Sequence, residues 1–179
     1  LFRALEAMIT TNLQAMMTRE RRVDIARTRF TQTQLKAVNE TLRLAADTRR
    51  AWVRAVSAFE TVAYLQQGQV AADAASELAA ELGRSGALAK SGQAREHAFY
   101  AELTGQLSEA RLNAALAKEE LTRLMGLWGN DVSYFVPDKL PALPVSLRSG
   151  RSIEAEALRK RVDLQIARLE LELAAKSYG

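Results

Sequence analysis

The chain has 179 residues, enough for one domain, with no cysteine and a formal charge of +4 in which acids and bases are interspersed. That excludes a disulfide framework and a thiolate metal site, and no run of eighteen apolar residues offers a transmembrane helix. Alanine supplies 32 residues and aromatics only 6%, a composition for thin, closely packed helices rather than a thick globular core.

Residues 1–18 carry two patterns. Ile9, Thr11, Leu13, Ala15 and Met17 alternate with Thr10, Asn12, Gln14 and Met16, the period of a strand with one apolar face. Leu1, Leu5, Met8 or Ile9, and Leu13 also share one face of a helix, which is the expectation for a segment without a strand partner. The chain opens at Leu1 with neither an initiator methionine nor a signal-peptide pattern, as expected of a mature or excised segment.

From Arg19 to Leu82 there is no proline and a single glycine, Gly68. The stretch predicts one helix of roughly 95 Å at about 1.5 Å per residue. Its start is basic, with Arg19, Arg21, Arg22, Arg27 and Arg29 against Glu20 and Asp24. Only Phe30 is an aromatic neighbour, so these read as a solvated face and no nucleic-acid partner is expected. Further on, Leu35, Val38, Leu42, Ala45, Arg49, Trp52, Val56 and Phe59 step by three and four, the spacing of a coiled-coil seam. A second set, Ala51, Ala55, Ala58 and Val62, lies beside it, so this helix is expected to have neighbours on more than one side. At helical spacing Trp52, Phe59 and Tyr64 read as core or interface residues, not as a cofactor box.

Three glycines punctuate Leu82-Gly83-Arg84-Ser85-Gly86-Ala87-Leu88-Ala89-Lys90-Ser91-Gly92, and here the chain is expected to reverse. The tip, within 83–92, is small and uncharged: Gly86, Ala87, Leu88 and Ala89. A second helix is predicted over Gln93 to Met125, where Leu103, Leu107, Ala110, Ala114, Ala117, Leu121 and Leu124 form a strict heptad seam. It stops at Gly126.

All three prolines, Pro137, Pro141 and Pro144, fall between Leu127 and Gly150, which predicts an extended connector laid over the hairpin. Ser152 is the expected N-cap of a short helix from Ile153 to Arg161, and Asp163 the expected cap of the next, with Leu164, Ala167, Leu171 and Ala174 as its apolar stripe. The fold class is therefore all-α: a long antiparallel, coiled-coil-like hairpin over 19–126, a proline-rich connector with a short helix over 127–161, and the start of another long helix over 162–179.

No chemistry is legible. His97 is the sole histidine, with no HExxH spacing around it, so it reads as an exposed helix residue and not a ligand. Met8, Met16 and Met17 read as packing. Glu119 and Glu120 are adjacent on a helix and splay apart, the wrong arrangement for paired acid and base. No catalytic, cofactor-binding or metal residues are expected, and no enzyme.

The run Ala45-Ala46-Asp47-Thr48-Arg49-Arg50-Ala51-Trp52, the turn Gly86-Ala87-Leu88-Ala89-Lys90, the helix end Leu121-Thr122-Arg123-Leu124-Met125-Gly126-Leu127, and Arg161-Val162-Asp163-Leu164 with Ala167-Arg168 resemble, in order and spacing, the TolC-type outer-membrane efflux proteins. The resemblance implies a homotrimer in which each chain gives a β-barrel portion and staves of an α-helical barrel across the periplasm. It implies that residues 19–82 descend from the barrel, 93–125 return, 127–161 form an equatorial belt and 163 onward climbs back. Residues 1–18 would then be the exit of a barrel strand. Gly86, Ala87, Leu88 and Ala89 would meet the hairpin of a periplasmic adaptor, or membrane fusion, protein linked to an inner-membrane pump. Such a channel is passive and carries small molecules or ions out through the outer membrane of a Gram-negative cell. Where the family commonly has a capping Ser or Thr followed by Asp or Thr, this chain has Ala89 and Gly92. Ser91 is thus the expected cap, starting the second helix later. Val162 replaces a frequent proline, so the last two helices are expected to run together. The competing readings are the hairpin of the adaptor itself and a cytosolic coiled-coil scaffold.

Overall fold

The structure, a computed structural model, describes residues 16–146, 150 and 152–178. The alternating segment 1–15 lies outside the described residues. Among those described there are four α-helices and no strand: α1 (Arg19–Arg84), α2 (Lys90–Met125), α3 (Ile153–Lys160) and α4 (Val162–Tyr178), with a 3-10 turn at Gly129–Val132. The chain divides into two units, one of residues 44–145 and one of residues 1–43 with 146–179.

α1 runs unbroken because nothing in it forbids a helix. Its β-branched threonines return their hydroxyls to the preceding turn: Thr28 to the Asp24 carbonyl at 3.1 Å, Thr41 to Ala37 at 2.9 Å, Thr48 to Leu44 at 2.8 Å and Thr61 to Ser57 at 2.9 Å. A hydroxyl satisfied in this way removes much of its competition with the helical backbone.

In the unit of residues 44–145, the second part of α1 and the whole of α2 form the antiparallel hairpin. The register is fixed by cross-helix pairs whose numbers sum to nearly the same value: Arg54 with Glu120 at 3.3 Å, Gln69 with Thr104 at 2.9 Å, and Ser76 with His97 at 2.6 Å. On α2 the predicted heptad is the buried seam. Leu107, Ala110, Ala114 and Leu121 are all buried, with Leu103, Ala117 and Leu124 partly so.

On α1 the seam differs from the leading sequence expectation. The buried residues are Ala51, Ala55, Ala72, Ser76 and Ala79, which extend the second apolar set in alternating steps of four and three down to Gly83. Val38, Leu42 and Trp52 of the first set are exposed. Only Val56, fully buried, and Phe59 take part in the core. The physical reason is size. Alanines at the contact let two long helices approach closely enough for the leucines of α2 to fill the space between them. The bulkier first set cannot approach so closely.

The connector lies over this seam. Val136 packs with Ala51, Ala55, Val56 and Leu121, with Tyr134 and Leu140 at its edge. Tyr134 is held from α2, its hydroxyl against Thr122 Oγ1 at 2.9 Å, while Lys118 Nζ donates to the Tyr134 carbonyl at 2.8 Å and sits 4.7 Å from its ring centroid. The Leu140 amide donates to Glu60 Oε2 at 3.4 Å. Gly126, at φ 67°, closes α2: its amide donates to the Arg123 carbonyl, and the Leu127 amide to that of Thr122.

The other unit joins the first part of α1 to α4 through polar groups. Among the described residues, Thr28 and Gln32 are its buried members, and α4 has no buried residue. Lys176 Nζ reaches Asp24 at 2.7 Å, Glu172 at 2.6 Å and Thr28 Oγ1 at 3.0 Å, and Gln32 donates to Glu170 at 2.9 Å. Arg21 donates twice to the Lys176 carbonyl.

Three boundary expectations fail in this unit. Ser152 precedes α3 in a left-handed conformation, φ 70°, and its side chain makes no cap bond. Asp163 lies inside the first turn of α4, where it pairs with Arg161 instead of capping. α3 and α4 do not run together, because Arg161 is extended between them. Its guanidinium, hydrogen-bonded to Asp163, holds that carboxyl below the usual range.

The Lys176 bonds give a pH expectation. Hydrogen bonds to Asp24 and Glu172 hold the ammonium above its ordinary pKa. A raised folded value contributes fully below the ordinary lysine value of about 10.4 and is lost only as pH climbs through the higher folded one. The difference in urea midpoint between the chain and its Lys176→Met variant should stay level from neutrality to about pH 10 and then fall. A fall already complete below pH 9 contradicts the pairing.

Candidate interaction site at the hairpin tip

α1 ends in a Schellman turn. The Ala87 amide donates to the Leu82 carbonyl at 2.8 Å and the Gly86 amide to Gly83 at 3.2 Å, with Gly86 itself at φ 79°. A side chain at Gly86 would be strained by the backbone alone. Ser85 Oγ adds a bond to the Leu82 carbonyl at 2.9 Å.

Beyond the turn, α2 starts at Lys90 and not at a later residue, as the Ser91 expectation required. Ala89 occupies the cap position with an extended backbone and no side-chain cap bond, and its carbonyl takes the Gly92 amide at 2.9 Å. Ser91 is inside the first turn. Small residues do what capping does elsewhere. Leu88 folds back so closely on Gly92 that a Cβ there would lie 2.8 Å from its Cδ1. Likewise, a Cβ on Gly83 would collide with the Gln93 amide, which donates to the Leu88 carbonyl at 3.3 Å. The tip is thereby tied across both helices.

The four predicted tip residues come together but are not equivalent. Gly86, Ala87 and Ala89 are exposed, whereas Leu88 is half-buried. What the tip presents is backbone and methyl groups without charge, flanked by the exposed Arg84 and Lys90. Its geometry suits close backbone-to-backbone approach by another helical element and supplies no nucleophile or acid–base pair.

His97, exposed as expected, lies about two turns into α2 and is joined to Ser76. The sequence offered no signal for that partner, since it depends on the hairpin register. A shallow open groove of about 450 Å³ runs beside the seam further along, lined by Arg54, Thr61, Gln106, Glu109 and Asn113 among others. Among the described residues no group of three or more His, Cys, Asp or Glu side chains converges to hold a metal, and no helix is long and apolar enough to cross a membrane. Compared with protein-family models, curated proteins and solved structures, the chain matches none.

Away from the seam the hairpin stays apolar. Val53, Tyr64 and Leu78 on α1 and Leu112 and Leu116 on α2 are between 46% and 76% exposed, on sides that neither helix of the pair covers.

Proposed function

We propose that the chain is part of the periplasmic helical duct of an outer-membrane channel in a tripartite efflux system. The hairpin is a stave of an α-barrel formed by three copies, and the connector is its equatorial belt. The observation that carries this reading is the coexistence of a well-made internal seam with large apolar residues on the outer sides of both helices. Single exposed apolar residues are ordinary, but Leu112 and Leu116, one turn apart, and their counterparts on α1 ask for further helices alongside. The resemblance in motif order and the small uncharged tip support the same reading.

In this function the protein performs no reaction. It gives solutes a passive path, and the inner-membrane pump supplies the energy. Gly86, Ala87, Leu88 and Ala89 meet the hairpin of the periplasmic adaptor, with Ala87 and Ala89 as the contact methyls and Leu88 bracing the turn from within. The protein resides in the outer membrane, with this portion in the periplasm.

A photoreactive residue at position 87 in living cells tests this. The expected crosslink is to a periplasmic protein with its own helical hairpin, and Ala87→Glu should reduce that crosslink several-fold and sensitise the cells without lowering channel yield. Unchanged resistance in the Ala87→Glu strain, or a crosslink only to a cytosolic protein, overturns the proposal.

A further inference from the structure

The first three turns of α1 have two opposite faces. Asp24, Thr28 and Gln32 step by four along the side that holds α4. On the reverse side Arg19, Arg22 and Arg29 follow one row at spacings of three and seven, with Ala26 between. Val23 and Phe30, seven residues apart, lie beside them, flanked by Arg27, and are 42% and 66% exposed, and Met16, just ahead of α1, is 73% exposed. None of these four arginines has an ion-pair partner among the described residues, although carboxylates elsewhere in the unit are paired. Only Glu20, at the margin of the face, offsets them. The face therefore carries an excess of three positive charges, interleaved with apolar side chains, and it ends abruptly: the next residues on the same side are Thr33, Ala37 and Glu40.

From this arrangement we propose that the face of α1 between Arg19 and Phe30 docks on a bilayer surface bearing anionic phospholipid headgroups. The guanidinium charges face headgroup phosphates, and Val23 and Phe30 enter the headgroup region between them, with Met16 just ahead of the helix. Charge complementarity selects an anionic partner. The apolar row selects lipid over nucleic acid, because a nucleic-acid face interleaves its arginines with amide and hydroxyl donors and stacking aromatics, and here there is one phenyl ring among aliphatic side chains. The inference stands apart from the efflux reading, since it concerns the other unit and needs neither a trimer nor an adaptor.

Flotation of the 179-residue chain with vesicles tests it, comparing pure phosphatidylcholine with phosphatidylcholine containing about 30% phosphatidylglycerol. The expected result is partitioning at least about tenfold stronger into the anionic vesicles at low salt, declining steadily as ionic strength rises. The Arg19→Gln, Arg22→Gln, Arg29→Gln triple variant should lose about 100-fold, at roughly fivefold per arginine. The corresponding triple change to Lys should keep most of the binding, and a control triple at Arg43, Arg50 and Arg84 should keep all of it. Equal partitioning into neutral vesicles, insensitivity to salt, or displacement from vesicles by an equal phosphate concentration of duplex DNA overturns the proposal. The salt series and the Lys variant decide even if the Gln variant does not fold.

Discussion

Leu121→Ala is expected to lower the unfolding free energy of the chain by about 3 kcal/mol, within the roughly 2–5 kcal/mol range for emptying a leucine site in a packed core. Leu121 is 2% exposed and meets α1 at Ala51, Ala55 and Val56 and the connector at Val136. Of its neighbours on α1, Ala51 and Ala55 have no longer rotamer with which to fill the space and Val56 is already fully buried, so the cavity persists. Urea unfolding measures the loss. Leu116→Ala, on the same helix but 59% exposed, should stay within about 0.5 kcal/mol in the isolated chain. A loss below about 1 kcal/mol at Leu121 would contradict the seam.

Ala55→Leu should destabilise by a similar amount for the opposite reason. Ala55 is fully buried where α1 and α2 face one another. Three added carbons must push the helices apart or displace Val136 from the connector, and overpacking of this kind costs about 1–3 kcal/mol. The informative comparison is Ala45→Leu. Position 45 belongs to the seam expected from the sequence, yet it is exposed. The substitution there should cost less than about 0.5 kcal/mol, and urea unfolding of the pair of variants discriminates the two seams directly. Equal costs at the two positions would mean that both faces of α1 are packed within the chain.

That comparison also says what the sequence could and could not reveal. The hairpin, its reversal at Gly86 and the stop at Gly126 are legible because glycine's left-handed conformation is a local requirement. The α2 seam is legible because leucines mark it at heptad spacing. The α1 seam is harder, since Ala51, Ala55, Ala72, Ser76 and Ala79 are weak in hydrophobicity, and the stronger apolar row beside them draws attention to the wrong face. Its signal was the longer one: unbroken four-three spacing from Ala51 to Gly83. A helix with several neighbours need not turn its greasiest side to the partner in its own chain.

Caps are less legible. Ser91, Ser152 and Asp163 each have the right residue type near a helix start, but a cap bond also needs the backbone geometry of the position. Leu88 against Gly92, the left-handed Ser152 and the Arg161–Asp163 pair replace those bonds. The connector's anchoring by Tyr134, Lys118 and Thr122 crosses a turn of the chain, so no local pattern announces it. At the tip, the sequence names the four residues, while only the fold separates the bracing Leu88 from the presented Ala87 and Ala89.

The covering of the hairpin's outer sides can be measured directly, because the chain has no cysteine of its own. A single cysteine at position 116 would be labelled with a maleimide in the protein as assembled in its cell envelope and, separately, in the isolated 179-residue chain. The duct reading predicts labelling at least about tenfold slower in the assembly, as for a site shut off from solvent by a neighbouring helix. Equal rates in the two would mean that nothing packs against that side, and the hairpin would not be a stave.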